Sequence, residues 1–164
     1  MTPEDQQADQ HGGVAIKLKV YGILSDQATE SQIVLLRDEQ STEVLPIWVG
    51  TAEGQAIRMA MEGVSAPRPM THDLLKSLMQ YLKITPKKVV VNSIKNGTYY
   101  AALHLEAGET DTVIDARPSD AIALALRCGT PIYTTEEVIH KKGAESLDLW
   151  LEKLNPKDAE QGKA

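Results

Sequence analysis

The chain contains no phenylalanine, and tryptophan and tyrosine together supply only 4% of its 164 residues. A core without many large rings must be assembled from Val, Ile, Leu, Met and Ala, which suits closely packed layers of sheet and helix with small residues at the contacts. Cys128 stands alone, which excludes an internal disulfide and any site built from several thiolates, and fits a reducing cytoplasm. No apolar run approaches the roughly 20 residues of a membrane helix. The N-terminus lacks the basic and apolar regions of a signal peptide, so a soluble, cytoplasmic protein is expected. An excess of positive charge is also missing. With a net charge of −6, the molecule as a whole repels a polyanion, so any contact with nucleic acid must be local.

What is present is a 42% hydrophobic chain long enough for one core and too short for two. The fold class expected is α+β, a single domain with a mixed or largely antiparallel sheet packed with three to five helices. Residues 1–13 are polar and end in Gly12-Gly13, the composition of a disordered tail. The domain is expected over 14–140, an amphipathic helix with a Leu147, Trp150, Leu151 and Leu154 stripe over 141–154, and a second tail over 155–164.

From Val14 onward, Ile16, Leu18 and Val20 alternate with Lys17, Lys19 and Tyr21, a strand with one dry and one wet face. Apolar runs at Gln32 to Leu36 and Val44 to Val49 complete an expected meander. Thr51 is the expected cap of a helix through Ala56, Ile57 and Met61 that Gly63 closes. Thr71 is the expected cap of a second helix with a Leu74, Leu75, Leu78, Met79 and Leu82 stripe, ending near Lys83. Asn96-Gly97 lies between two apolar runs and predicts a type I′ hairpin. A strand over Thr112 to Ala116 then leads, through Pro118 at a first helical position, into the almost wholly apolar Ala121 to Leu126. Pro131 to Thr134 is expected as a short edge strand, because an edge tolerates proline. Thr134 with Glu137 has capping-box spacing. A loose internal echo, a strand followed by an acidic first turn, an Ala-Ile pair and a closing Gly, occurs at both Ala56-Ile57 to Gly63 and Ala121-Ile122 to Gly129.

The sequence holds no phosphate-cradling glycine loop, paired-histidine zinc helix or nucleophile elbow. Two polar segments carry the remaining chemistry. In Pro67-Arg68-Pro69-Met70-Thr71-His72-Asp73, a stiffened approach meets a helix N-terminus. Its free N–H groups and Arg68 favour a phosphate, and His72 and Asp73 can transfer a proton or hold a metal. The plainer alternative makes Asp73 a dipole partner and His72 a solvated first-turn residue. In Asp115-Ala116-Arg117-Pro118-Ser119-Asp120, a strand-to-helix junction gathers two carboxylates, a guanidinium and a hydroxyl, a donor set suited to Mg²⁺ or Mn²⁺. Here the alternative is a lock in which Arg117 bridges Asp115 and Asp120.

These segments, in order with Leu45-Pro46-Ile47-Trp48-Val49-Gly50 and Asn96-Gly97-Thr98-Tyr99-Tyr100-Ala101, resemble the bifunctional nuclease domain family from about Val14 to Ile139. The family occurs in bacteria and plants, and its name reflects reported action on both DNA and RNA. The chain departs from the common pattern at Asn96 and Tyr99, where Asp and Phe are usual, and both changes preserve the hairpin. The resemblance implies a nuclease, and the chemistry of the matching polar positions makes His72, Asp73, Asp115 and Asp120 the expected catalytic residues. Arg68, Thr71, Arg117 and Ser119 then contact substrate, and Asp115 with Asp120 holds Mg²⁺ or Mn²⁺. The alternative, favoured by the acidic charge, is a non-catalytic ligand-binding or interaction domain. Either reading accommodates a homodimer or other homo-oligomer.

Overall fold

The computed structural model describes residues 15–26 and 28–141. The two expected tails and the expected helix over 141–154, apart from Lys141, lie outside the described residues. One seven-stranded sheet carries helices α1 (Thr51–Glu62), α2 (Thr71–Tyr81), α3 (Pro118–Cys128) and α4 (Glu136–Lys141). Its strands are β1 (Ala15–Ser25), β2 (Gln32–Asp38), β3 (Val44–Val49), β4 (Ile84–Lys95), β5 (Thr98–Ala107), β6 (Thr110–Ala116) and β7 (Ile132–Thr135). The order across the sheet is β3-β2-β1-β7-β4-β5-β6, and every pair is antiparallel except β4 with β7.

The expected meander forms as β1, β2 and β3, with Ile16, Leu18 and Val20 turned toward the core and Lys17 and Lys19 exposed. The expected hairpin forms between β4 and β5. Asn96 and Gly97 have φ of 52° and 75°, the doubly left-handed pair a type I′ turn needs and these two residue types tolerate. The short strand after Pro131 is central rather than at an edge: β7 lies between β1 and β4. Pro131 precedes the strand, so the ladder loses no donor, and the Pro131 carbonyl accepts from Val89 N–H.

Helix α3 is the keystone of the core. Its run Ala121 to Ala125 is buried at every position, and the helix contacts α1, α2, β4 and β5 at once. The fully buried Ile57, Leu36, Leu45 and Ile122 belong to the same cluster, each contributing roughly 1.5–3 kcal/mol through burial. Both α1 and α3 end on glycines, Gly63 and Gly129, at φ of 65°, the left-handed closure that a side chain would strain.

Three local expectations are corrected. The caps of α1 and α2 are Gly50 and Met70 rather than Thr51 and Thr71. Thr51 spends its hydroxyl on the Glu30 carbonyl at 2.7 Å, and Asp73 reaches back to Met70 N–H at 2.9 Å. At α4 the capping hydroxyl is Thr135, which accepts from Val138 N–H, because Thr134 is buried and donates to the Val91 carbonyl. The leucine stripe of α2 faces outward: Leu74, Leu75, Leu78 and Leu82 are exposed, Tyr81 is 85% exposed, and Met79 alone of the expected stripe packs on the core. Helix α2 lies against α3 through the face that carries His72, its one buried residue.

Candidate active site

Helices α1, α2 and α3 each open without a side-chain cap, and each carries an acid at its third position, Glu53, Asp73 and Asp120. Such an acid lies within the first turn, where the free N–H groups and the helix dipole favour negative charge. The internal echo therefore has a structural counterpart. In β3–α1 and β6–α3, a strand runs straight into a helix, and the two helices pack together. Glu53 and Asp120 occupy corresponding places in the two units.

Arg117 joins them. Its Nε donates to Asp120 Oδ2 at 2.9 Å and its Nη1 to Glu53 Oε1 at 3.4 Å. Asp120 Oδ1 is in turn 3.0 Å from His72 Nε2; since an ionised carboxylate only accepts, the proton on this bond belongs to Nε2. His72 is 8% exposed. The result is a relay, Glu53–Arg117–Asp120–His72, that draws on all three helix N-termini. Its electrostatics agree with the geometry. Partial burial works to raise the Asp120 pKa, but the hydrogen bonds from Arg117 and His72 outweigh it and hold the carboxyl below its ordinary value. Arg117 is pushed up, chiefly by its hydrogen bond to Asp120.

The relay borders a cavity of about 310 Å³ reached by Trp48, Gly50, Glu53, Tyr99, Arg117 and Ser119. The cavity opens where β3 meets α1, β6 meets α3 and the β4–β5 hairpin turns. Ser119 is 7% exposed and its hydroxyl makes no hydrogen bond among the described residues. Burial pushes the Tyr99 phenol up.

Of the eight residues singled out in the sequence, the fold brings His72, Arg117 and Asp120 into direct contact and sets Ser119 beside them. Asp73 turns the other way. Its Oδ1 accepts from Arg127 Nε at 2.9 Å, and the Arg127 side chain is only 8% exposed. Both belong to a separate hollow of about 400 Å³. The hydrogen bond from Met70 N–H, then that from Arg127, holds the Asp73 carboxyl below its ordinary value. Arg68, Thr71 and Asp115 are exposed and line neither hollow. Asp115 sits on β6 opposite Ala102.

Among the described residues no three His, Cys, Asp or Glu side chains stand together to hold an ion. Both Asp120 oxygens already serve His72 and Arg117, and Asp73 serves Arg127. Two participants lie outside those eight residues: Glu53, which sequence reading sets aside as a weaker candidate, and Arg127, which it misses. The echo was the available signal for Glu53, since it aligns the first turns of α1 and α3; Arg127 carried no local signal.

No helix among the described residues is long and apolar enough to cross a membrane. The model of the bifunctional nuclease domain matches residues 34–146. An uncharacterised protein of Mycobacterium tuberculosis is 39% identical over 127 residues, covering 77% of this chain and 76% of that protein. Bifunctional nuclease 2 of Arabidopsis thaliana is 30% identical over 130 residues, covering 77% of this chain but 40% of that protein. Bifunctional nuclease 1 of Oryza sativa subsp. indica is 28% identical over 123 residues, 73% of this chain and 37% of that protein. The chain thus spans well under half the length of these plant relatives. The match of the family model over most of the chain and the similarity to the mycobacterial protein place this chain in the bifunctional nuclease domain family.

Proposed function

We propose that the chain hydrolyses phosphodiester bonds of nucleic acid at the cavity where α1 and α3 begin. The observation that carries this reading is the Glu53–Arg117–Asp120–His72 relay, whose Glu53 and Arg117 line that cavity, in a chain similar to plant proteins named bifunctional nucleases. In this reading a water molecule attacks phosphorus and the bond from phosphorus to the leaving oxygen breaks. Glu53 takes the proton of the attacking water, and the leaving oxygen takes one from solvent. Arg117 offsets the charge that gathers on the phosphoryl oxygens. Asp120 and His72 are positioning residues that keep the guanidinium in place. No step is routed through a metal: Asp120 already serves His72 and Arg117, and Asp115 lies outside the cavity lining.

The test is hydrolysis of single- and double-stranded DNA and RNA by purified protein with Mg²⁺, Mn²⁺ or EDTA, beside Glu53→Gln and Arg117→Met with their folding checked. The expected result is a loss of about a hundredfold or more in each variant. Hydrolysis undiminished in folded Glu53→Gln would refute the role of Glu53.

A second reading, a non-catalytic ligand-binding or interaction domain, is favoured by the way each charge in the relay answers the next. Absence of hydrolysis under every condition would select it. A homodimer and a cytoplasmic location belong to either reading, with the outward leucines of α2 as the apolar surface a second copy would cover.

A further inference from the structure

Gly50 closes the Leu45 to Gly50 segment of the sequence, yet its backbone does not call for glycine. Its φ of −74° and ψ of 171° are extended values that any residue adopts. At this place, the N-cap of α1, a Ser, Asp or Asn would satisfy a first-turn N–H through its side chain, and glycine brings the largest entropy cost on folding instead. What the position requires is space. A Cβ added at Gly50 would collide with Glu53 Oε2 and stand 3.2 Å from Glu53 Cδ and 3.6 Å from Oε1. The whole Glu53 carboxylate lies over the bare Cα.

That seat divides the two oxygens. Oε1 accepts from Arg117 Nη1 at 3.4 Å, while Oε2 accepts no hydrogen bond among the described residues, on a side chain that is 29% exposed. The bond to Arg117 is already longer than the roughly 2.7–3.2 Å usual for N–H···O, so a small displacement of the carboxylate releases it. Restoring an ordinary van der Waals distance from a Cβ at position 50 would move Oε2 by roughly 1 Å. The helix cannot back away in its place. One turn on, Gly54 is buried, and a Cβ there would collide with Gln32 Oε1 and stand 2.6 Å from Gln32 Cδ and 3.1 Å from its Cβ. Gln32 opens β2 opposite Val49, and its Oε1 is so enclosed that it has no hydrogen-bond partner. At Gly54 the obstruction is the body of a side chain fixed in the sheet; at Gly50 it is the tip of a long flexible one. Crowding at position 50 therefore falls on the Glu53 carboxylate.

We infer that Gly50 is a positioning residue, whose missing side chain seats the Glu53 carboxylate on Arg117 and leaves Oε2 as the oxygen that receives the proton of the attacking water. Gly50, Glu53 and Arg117 all line the 310 Å³ cavity, so the seat belongs to the wall where the phosphodiester would lie. The inference rests on the phosphodiesterase reading and deepens it, because it gives the proton to one atom and adds a residue that has no functional group of its own. The bond from the water oxygen to phosphorus forms as its proton passes to Oε2, the bond to the leaving oxygen breaks, and solvent protonates that oxygen.

The test compares kcat for hydrolysis of DNA and RNA by the parent, Gly50→Ala, Glu53→Gln and the double variant, beside the crystal structure of the full-length Gly50→Ala chain. Gly50→Ala is expected to lose about tenfold to a hundredfold in kcat, while its urea midpoint stays close to the parent's. Added to Glu53→Gln, where the base is already gone, the same change should cost no further activity. A general packing defect would instead cost as much in both backgrounds. In the crystal structure the Glu53 carboxylate should have left Arg117 with α1 still in place. A carboxylate that remains on Arg117, a kcat equal to the parent's, or an equal loss in both backgrounds would overturn the inference. If the parent cleaves no substrate, the phosphodiesterase reading fails by itself. The Gly50→Ala crystal structure then still decides the seat, a displaced carboxylate upholding it and a retained one rejecting it.

Discussion

His72 Nε2 and Asp120 Oδ1 meet at 3.0 Å although 48 positions separate them in the chain. This one bond ties the first turn of α2 to the first turn of α3 and joins the two polar segments singled out in the sequence. His72→Ala leaves Asp120 with one partner fewer beside a mostly buried wall, so the variant is expected to lose about 1–2 kcal/mol of stability in urea unfolding. Hydrolysis should also fall, through a disordered Arg117, while His72→Gln retains more of both. Equal loss in the two variants would show that the bond to Asp120 is not what His72 supplies.

The Asp73–Arg127 pair makes a separate prediction. The Arg127 side chain is 8% exposed and Asp73 39% exposed, so Asp73→Ala strands a nearly buried guanidinium. The expected cost is about 1–3 kcal/mol, below the range for fully buried pairs because solvent screens the aspartate side. Replacing both residues with apolar ones should recover part of it. Since Asp73 lies outside the cavity of the relay, the kcat of folded Asp73→Ala should stay close to that of the parent.

Acid should weaken the fold through two carboxyls. Asp73 and Asp120 both titrate below their ordinary value in the folded chain. A depressed carboxylate contributes stability that is complete above its unfolded pKa of about 4 and disappears as pH falls through the lower, folded value. Unfolding free energy should therefore drop below about pH 4, and Asp73→Asn and Asp120→Asn should each flatten that drop. Acid profiles parallel to the parent's would contradict the assignment.

Solution size tests the outward face of α2. Leu74, Leu75, Leu78 and Leu82 are between 41% and 60% exposed, an apolar surface that water disfavours. Sedimentation should report a homodimer, and Leu74→Glu combined with Leu78→Glu should report a monomer that keeps its circular dichroism. A parent chain that is monomeric at every concentration would remove this interface.

The interior of this fold was legible wherever a single segment determines its own answer. The alternation from Ile16 to Val20 marks a one-sided strand, and Asn96-Gly97 marks its turn. Pro118 before Ala121 to Ala125 marks a helix enclosed by neighbours. Errors arose where a distant partner decides. Thr51 looked like a cap until the Glu30 carbonyl claimed its hydroxyl. The leucines of α2 have the spacing of a buried stripe, yet α3 takes up the His72 face, and periodicity cannot say which neighbour is present. In the site, the pairing of the two polar segments was anticipated and the direction of each carboxylate was not. Asp73 and Asp120 sit at the same position of their helices, but one meets Arg127 and the other Arg117, a difference set by packing. Glu53 had no local mark beyond its place in a first turn.

The position of β7 has a consequence for how the molecule is made. Residues 132–135 supply the seam between β3-β2-β1 on one side and β4-β5-β6 on the other, and they come after all six of those strands in the chain. A nascent chain lacking them holds two three-stranded sheets with facing open edges, each a template for mispairing with another copy. Closure waits for a four-residue strand that must find both edges at once, a long-range step of the kind that slows folding. Truncation before Ile132 should therefore yield an aggregating chain rather than a smaller domain, and the interval of synthesis before residues 132–135 emerge is the one in which these open edges most need a chaperone.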